Sequence, residues 1–437
     1  MRDLGKFWLA ACCAALVTAM LTATAPALAQ VKPGDFITDE NVYKVRDIIT
    51  PGQYTRVMHG MSIKIAPTER IDWPPPYKEA TEKYSSQVRL SSDGRSLVGY
   101  VAGEPFPIVD SNDPHAADKI MWNETFRPIS SDDYDLRWFD CDTEYWGKNR
   151  TFRQITDIEV GHYAGYNEVG RTEVDPVPID PDFKTTGRYY LNLLYPVLAP
   201  EDQRGVGLIK FRYADPKRDD DAWTYTPGAR RVRRLNYSIL DTASGAQAYD
   251  PNHYEGFSGK NEWYDFKFLG EKNMLAAINV GHSPDVRCPT DGGASHCPDP
   301  WEIRHMFLIE GKPRPGHFNS LYDHDVFYID SEADFVMADD MYDRSGQLFN
   351  NYTSWMYYAD RSEPDARIAI YPFKREFQVG SSTVNVQGGI ATVCYHPSMN
   401  APSHDSWFIN MGATDRSWFT PDQMARAAQG GHAIAGD

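Results

Sequence analysis

Apolar residues recur at helical spacing near the two ends of this chain and at strand spacing between them. Val42, Val45, Ile48 and Ile49 follow a Thr38-Asp39 start at helical intervals, and Pro51 with Gly52 is expected to stop that helix. Pro74 to Pro76 open a second short helix over PYKEATEKYS. Near the far end, Thr420 and Gln423 have the spacing of a capping box, with Pro421 at the first helical position and Phe419 placed to staple Met424. That helix should end near Gly430.

The interior favours strands and turns. QVRLSSDGRSLVGYVAG reads as a hairpin around Asp93 and Gly94, flanked by Val88, Leu90, Leu97 and Val98. RYYLNLLYPVL, VGLIKFRYADP, WTYTPGARRVRRL, DFKFLG, RHMFLIEG, the long stretch from Val326 to Ala359 and RIAIYPFKREFQV repeat the theme. Consecutive strands with few helices between them predict a mainly β protein built on a large curved antiparallel sheet. In YLNLLYPVL apolar residues occupy both phases, so both faces of that strand should be covered. A sheet wrapped around something and an ordinary sandwich both satisfy this pattern.

A different apolar run opens the chain. Arg2 and Lys6 precede the apolar stretch Phe7 to Leu21, and Ala27, Leu28 and Ala29 supply a small-x-small cleavage pattern. This predicts a signal peptide over residues 1–29, cut before Gln30, and a periplasmic protein. The run is shorter than the ~20 residues a membrane-crossing helix needs. Leu9, Ala10, Ala11 and Cys12 resemble a lipoprotein box, but the apolar core lies mostly after it, which favours cleavage over a lipid tether. Outer-membrane association and peripheral membrane contact stay open. Residues 30–437 lack a Gly/Ser linker or composition break, so one extended β domain is expected, with a helical segment over about 38–85 and a C-terminal helix over about 420–430.

Cleavage removes two of the 44 basic and one of the 61 acidic residues, leaving a net charge of −18. Such a field excludes nucleic acid as a general partner. Four cysteines follow residue 29, an even number that favours disulfides in an oxidising compartment. Cys288 and Cys297 bracket CPTDGGASHC, a tight surface loop that a disulfide between them is expected to close. Cys141 and Cys394 can pair only if the fold brings them together.

Motifs of catalysis are missing: the chain has no GxSxG elbow, HExxH helix, P-loop or dinucleotide fingerprint. Ser295 and His296 are adjacent, and neighbours on an extended chain point apart. His282, Cys288, His296 and Cys297 have zinc-ligand chemistry without the usual short spacing, and His396, His404 and Asp405 sit in a proline-rich loop. The acidic stretches Asp110 to Asp118 and Asp219 to Asp221 lack calcium-loop spacing and should be solvated faces. Neither metal, cofactor nor catalysis is therefore expected. Arg230, Arg231, Arg233 and Arg234 form a basic run in an acidic chain: either cross-strand pairs with acids or a docking site for an anionic surface or partner.

Five long segments resemble, in order, a bacterial family of unknown function whose members are labelled outer-membrane lipoprotein-sorting-protein-like. They are VKPGDFITDENVYKVRDIITPGQY, RIDWPPPYKEATEKYSSQVRL, RYYLNLLYPVL, WTYTPGARRVRRL and DVFYIDSEADFVMADDMYDRSGQLF. The resemblance implies the fold of the LolA and LolB periplasmic lipoprotein carriers: an incomplete antiparallel β-barrel whose apolar concavity is closed by short helices. It further implies a carrier of lipid or another hydrophobic cargo, accessory to an exporter of the resistance, nodulation and division (RND) type or to outer-membrane trafficking. On that reading Leu191, Leu193, Leu208, Phe211, Phe307, Phe327, Trp355 and Phe373 are candidates to face the cargo. A secreted hydrolase and a non-catalytic adaptor docking an exporter are the alternatives.

Overall fold

The computed structural model describes residues 31–147, 154–235, 247–249, 252–280, 300–315, 321–403 and 405–429. The export segment, the Cys288/Cys297 loop with His282, Ser295 and His296, and His404 lie outside them.

The chain begins with β1 (Phe36–Ile37), a 3-10 turn at Val42–Val45, α1 (Pro51–Met58) and β2 (Ile63–Ile65). Pro51 starts a helix where it was expected to stop one. At the first helical position proline has no hydrogen bond to lose, and it holds Thr50 extended, so no helix can run in from Ile49. The Thr50 side chain accepts from the Gln53 N–H at 3.0 Å while Gln53 accepts from the Thr50 N–H at 3.2 Å. The helical spacing from Val42 to Ile49 thus reports burial around one 3-10 turn rather than an α-helix.

α2 (Pro75–Tyr84) and the hairpin of β3 (Arg89–Leu90) and β4 (Leu97–Val98) match expectation, with Leu90 opposite Leu97. α3 (Ala116–Thr125) does not. The acidic stretch before it, expected to be a solvated face, starts this helix. Asp113 accepts from the His115 N–H at 2.8 Å and pairs with Lys119 at 2.5 Å, and Asp118 meets His115 at 2.9 Å.

Long strands follow: β5 (Asp133–Tyr145), β6 (Gln154–Asn167), then one turn of helix, α4 (Phe183–Thr186), β7 (Arg188–Leu194), β8 (Val197–Ala199), β9 (Gly207–Tyr213), β10 (Asp221–Thr226) and β11 (Arg231–Leu235). The second half holds β12 (Tyr264–Ala276), β13 (Pro300–Pro313), β14 (His324–Asp330), β15 (Phe335–Tyr342), β16 (Leu348–Arg361), β17 (Ile370–Asn385), β18 (Ile390–Tyr395), β19 (Trp407–Ile409) and α5 (Pro421–Ala427).

Neighbour by neighbour, the sheet runs β11, β10, β9, β7, β6, β5, β18, β17, β16, β15, β14, β13, β12, antiparallel throughout. β8 extends the lane of β7 along β6, and β19 extends that of β18 along β5. The sheet is nevertheless mixed, because β2 joins the start of β13 in parallel and carries β1 on its other side.

β11 and β12 end the sheet without pairing to each other among the described residues. The sheet is curled all the same. Leu208, Ala222 and Leu235 near one end share an apolar cluster with Phe266, Phe268 and Phe307 near the other, and Ala117, Ile120 and Met121 of α3 sit in that cluster. A flat sheet cannot bring both ends to one helix, so this is an incomplete barrel with α3 in its concavity.

The opposite face is covered too. Val57, Ile63 and Ile65 of the N-terminal segment pack with Trp301, Met306, Tyr328 and Trp355. α5 covers β7 and β9: Phe419, Met424 and Ala427 pack with Leu191, Leu193, Ile209 and Phe211. This explains the two apolar phases of YLNLLYPVL. Cys141 and Cys394 lie directly opposite each other on β5 and β18 and form a disulfide.

Candidate functional site

Beside the C-terminal end of α3 the concavity holds a cavity of about 80 Å³. Its floor is Tyr134 of β5, Tyr163 of β6, Tyr190 and Asn192 of β7, and Lys210 and Arg212 of β9. Alternate residues of neighbouring strands share a face, which places this polar set inward while Leu191, Leu193, Ile209 and Phe211 point to α5. The roof is the chain from Glu124 to Arg127, leaving α3, together with Tyr254, Glu255 and Phe257 to Gly259. Two smaller voids, of about 20 and 10 Å³, continue beneath Glu255.

Two glycines let these parts approach. A Cβ on Gly165 of β6 would lie 2.2 Å from the Tyr134 ring, so the bare backbone makes room for that side chain. Gly256 has φ +87°, and a Cβ there would stand 2.5 Å from Val336, so the roof can press onto the sheet only with glycine.

Most polar groups around the cavity are matched. Arg127 donates to Glu124 at 2.7 Å and also pairs with Glu255. Arg212 donates to Asp220 at 2.9 Å and to the carbonyls of Gly259 at 2.8 Å and Ser258 at 2.9 Å, tying roof to floor. The Tyr134 and Tyr190 hydroxyls share a hydrogen bond of 2.6 Å, and the Asn192 amide donates to Tyr134 at 3.1 Å. Lys210, opposite Asn192 and buried, has no side-chain hydrogen bond or ion pair among the described residues. Burial, with Arg212 adding repulsion that Asp220 and Glu255 only partly offset, pulls its ammonium down to about 7. Burial pushes Glu124 up to about 7 against the pull of Arg127.

The sequence candidates for cargo contact are divided between faces. Leu208, Phe307 and Phe327 lie in the concavity with α3. Leu191, Leu193 and Phe211 lie beneath α5. Trp355 meets Trp301 edge-on at 6.3 Å under the N-terminal segment, and half-buried Phe373 has the Arg375 guanidinium 5.6 Å from its ring. The concavity that the resemblance implies to be apolar and closed by short helices is of mixed character here. Ala117, Ile120, Met121, Phe257 and Trp263 fill the apolar part, and the open part mixes aromatic rings with polar groups. Lys210, the tyrosines and Asn192 were not singled out from sequence because they occupy the polar phase of otherwise ordinary strands.

The arginine run sits on the edge strand β11 and the turn before it, exposed. Arg234 pairs with Asp221, while Arg231 and Arg233 stand opposite Thr226 and Thr224 instead of acids. Of the other acidic stretch, expected to be a solvated face, Asp220 is buried against Arg212, and Asp221 accepts from the Tyr213 hydroxyl at 2.6 Å.

Metal-type side chains gather elsewhere. His396 is packed between Phe139 and Trp407, and Asp405 accepts from the Arg367 and Ile368 N–H groups. His253, from distant chain, instead meets Asp325 at 3.6 Å and Asp339 at 3.8 Å, all three buried, a donor set suited to a divalent cation. Asp140, Asp142 and Asp157 form a second acidic group; burial and a hydrogen bond with Asp157 raise Asp140, and Tyr395 donates to it at 2.9 Å.

Buried acids predict an inverted pH profile. Burial pushes Glu363 and Glu376 up to about 8 from an ordinary 4.5, and raises Glu104 and Asp334 as well. Between those values the folded chain holds protons that the unfolded chain has released, so stability falls as pH rises. Lys210 acts the other way above about 7, but it is one group against several. The melting temperature at about pH 5 should therefore exceed that at about pH 8.5, and Glu376→Gln should flatten the slope.

Among the described residues, no helix is long and apolar enough to cross a membrane. No curated protein matches the sequence. A crystal structure of a domain named for outer membrane lipoprotein sorting, from Vibrio parahaemolyticus, is 16% identical, covers 70% of this chain and 97% of its own, and superposes with a TM-score of 0.45. A DUF1329 family protein from Desulfovibrio piger is 14% identical over 70% of this chain and 96% of its own, with a TM-score of 0.44. A LolA superfamily protein from Nitrosomonas europaea is 10% identical over 67% and 91%, with a TM-score of 0.36. The family described as a protein of unknown function, DUF1329, matches residues 36–425, and this chain belongs to that family.

Proposed function

We propose that the protein is a periplasmic carrier that shields a molecule with a hydrophobic part in the concavity of its curled sheet. The observation that carries this reading is the division of that concavity: apolar side chains of α3 fill one part, and a cavity lined by aromatic rings together with charged and amide groups occupies the other. Ala117, Ile120 and Met121 form a thin apolar layer over Phe327, Ile329 and Ile309. A tail taking the place of that layer gains about 0.8 kcal/mol for each CH₂ withdrawn from water.

The cavity of about 80 Å³ is far smaller than the ~300–1,000 Å³ of sites for drug-sized ligands, so loading requires α3 and the Tyr254–Gly259 chain to move outward as a lid. That movement has to release the Arg212 bonds to two carbonyls, the Asn261 amide bonds to the Met121 carbonyl at 3.2 Å and the Thr125 hydroxyl at 3.0 Å, and the Asn123 bonds to Glu104 and Phe106. Binding and release, without chemistry, is the activity proposed. Delivery to an exporter or an outer-membrane partner through the arginine-bearing edge β11 completes the reading.

Protein purified from the periplasm and extracted with organic solvent should yield an amphiphile at a level comparable to the protein. The delipidated protein should bind a fluorescent acyl probe saturably. A lipid-free extract together with no saturable binding overturns the proposal.

A further inference from the structure

Among the described residues, Lys210 is a cation of this cavity that no side-chain hydrogen bond or ion pair answers; Asp220 and Glu255 act on it only from beyond ion-pair distance. Arg127 is matched by Glu124 and Glu255, and Arg212 by Asp220 and two carbonyls. Lys210 is 7% exposed, lines the cavity, and has Asn192 and Ala222 as its cross-strand neighbours. The Asn192 amide is already committed to Tyr134 and to the Ala164 carbonyl. A buried ammonium without a partner costs several kcal/mol, and chains avoid one unless something else supplies the counter-charge.

The space fits such a counter-charge. A cavity of about 80 Å³ has room for several waters, which suits a carboxylate or phosphate head and falls short of a long tail. Tyr190 and Tyr134 place hydroxyl groups on the same floor. The apolar part filled by α3 adjoins this polar part, so a head at Lys210 would leave its tail on the side where Phe327 and Ile309 lie.

We propose that Lys210 receives the anionic head, carboxylate or phosphate, of a single-tailed amphiphile whose tail takes the place of α3's apolar layer. This rests on the carrier reading and names the class of cargo. Burial that pulls Lys210 to about 7 lets the empty site rest uncharged at little cost, while an arriving anion restores the charge.

The test uses the processed protein with four probes of matched chain length: palmitate, methyl palmitate, palmitoyl lysophosphatidic acid and monopalmitoylglycerol. An anionic head should bind about tenfold or more tighter than its neutral counterpart. Comparing palmitate with the lysophosphatidic acid separates carboxylate from phosphate cargo. Lys210→Met should erase the preference and leave the neutral probes unchanged, and Lys210→Arg should keep it. Equal binding of charged and neutral probes, or a preference that survives Lys210→Met in a variant with unaltered circular dichroism and melting, overturns the head-group assignment while the carrier reading stands. Binding of no probe removes both.

Discussion

Arg56→Ala is expected to destabilise the protein by about 3–5 kcal/mol, because the side chain is fully buried and every partner it leaves is buried with it. Its guanidinium donates to the Asn351 side chain at 2.6 Å and the Asn351 carbonyl at 2.7 Å. It also donates to the Ser382 hydroxyl at 2.8 Å and the Ser382 carbonyl at 2.7 Å, fastening α1 across β16 and β17. Asp340 accepts from Asn351 at 2.7 Å and from the Gly52 N–H at 3.2 Å, and burial already holds it up at about 6. Removing the nearby cation raises it further. Urea unfolding should show the loss as a lower midpoint, with Arg56→Lys intermediate because an ammonium cannot span two strands in a fork. A shift below about 1 kcal/mol would mean that the N-terminal segment is not clasped to the sheet in this way.

The second large effect is expected from the Cys141–Cys394 bridge. It joins residues separated by 253 positions, so its loss releases a very long loop in the unfolded chain and should cost about 2–5 kcal/mol. Both sulfurs lie in a cluster with Tyr249, Met341 and Tyr352, where alanine fits better than serine. The double variant Cys141→Ala/Cys394→Ala should unfold at lower urea than the parent, and reductant should shift the parent more than the double variant. If the Cys288/Cys297 pair also bridges, reductant will lower the double variant too, and a triple comparison with Cys288→Ala/Cys297→Ala assigns the share of each.

Strand existence was legible because period-two patterns and turn residues are local, as in the run from Val326 to Gln347 that folds into most of β14, all of β15 and the turn before β16. Local chemistry also marked α5 through Thr420 and Pro421. α3 escaped because Asp113 and Asp118 resemble a solvated acidic face until the helix that uses them is known. Which side of a strand faces inward was not legible: Leu191 and Phe211 are as apolar as Phe327, yet α5 covers the first two and α3 the third. Lys210 becomes notable only once β7 and β10 flank it with Asn192 and Ala222, a pairing set by the whole sheet. The same holds for Cys141 and Cys394, and for His253 with Asp325 and Asp339.

The parallel seam between β2 and β13 has a kinetic meaning. Lys64 lies beside Pro300, and Arg56 reaches Asn351 and Ser382, so a segment made early by the ribosome finds its seat only after most of the polypeptide has followed. Closing so wide a span has a large entropic barrier, and proteins dominated by distant pairings assemble slowly. Until that late docking, Trp301, Met306 and Trp355 stand uncovered, which makes the nascent chain a natural client for a holdase and ties its yield to how long that wait lasts.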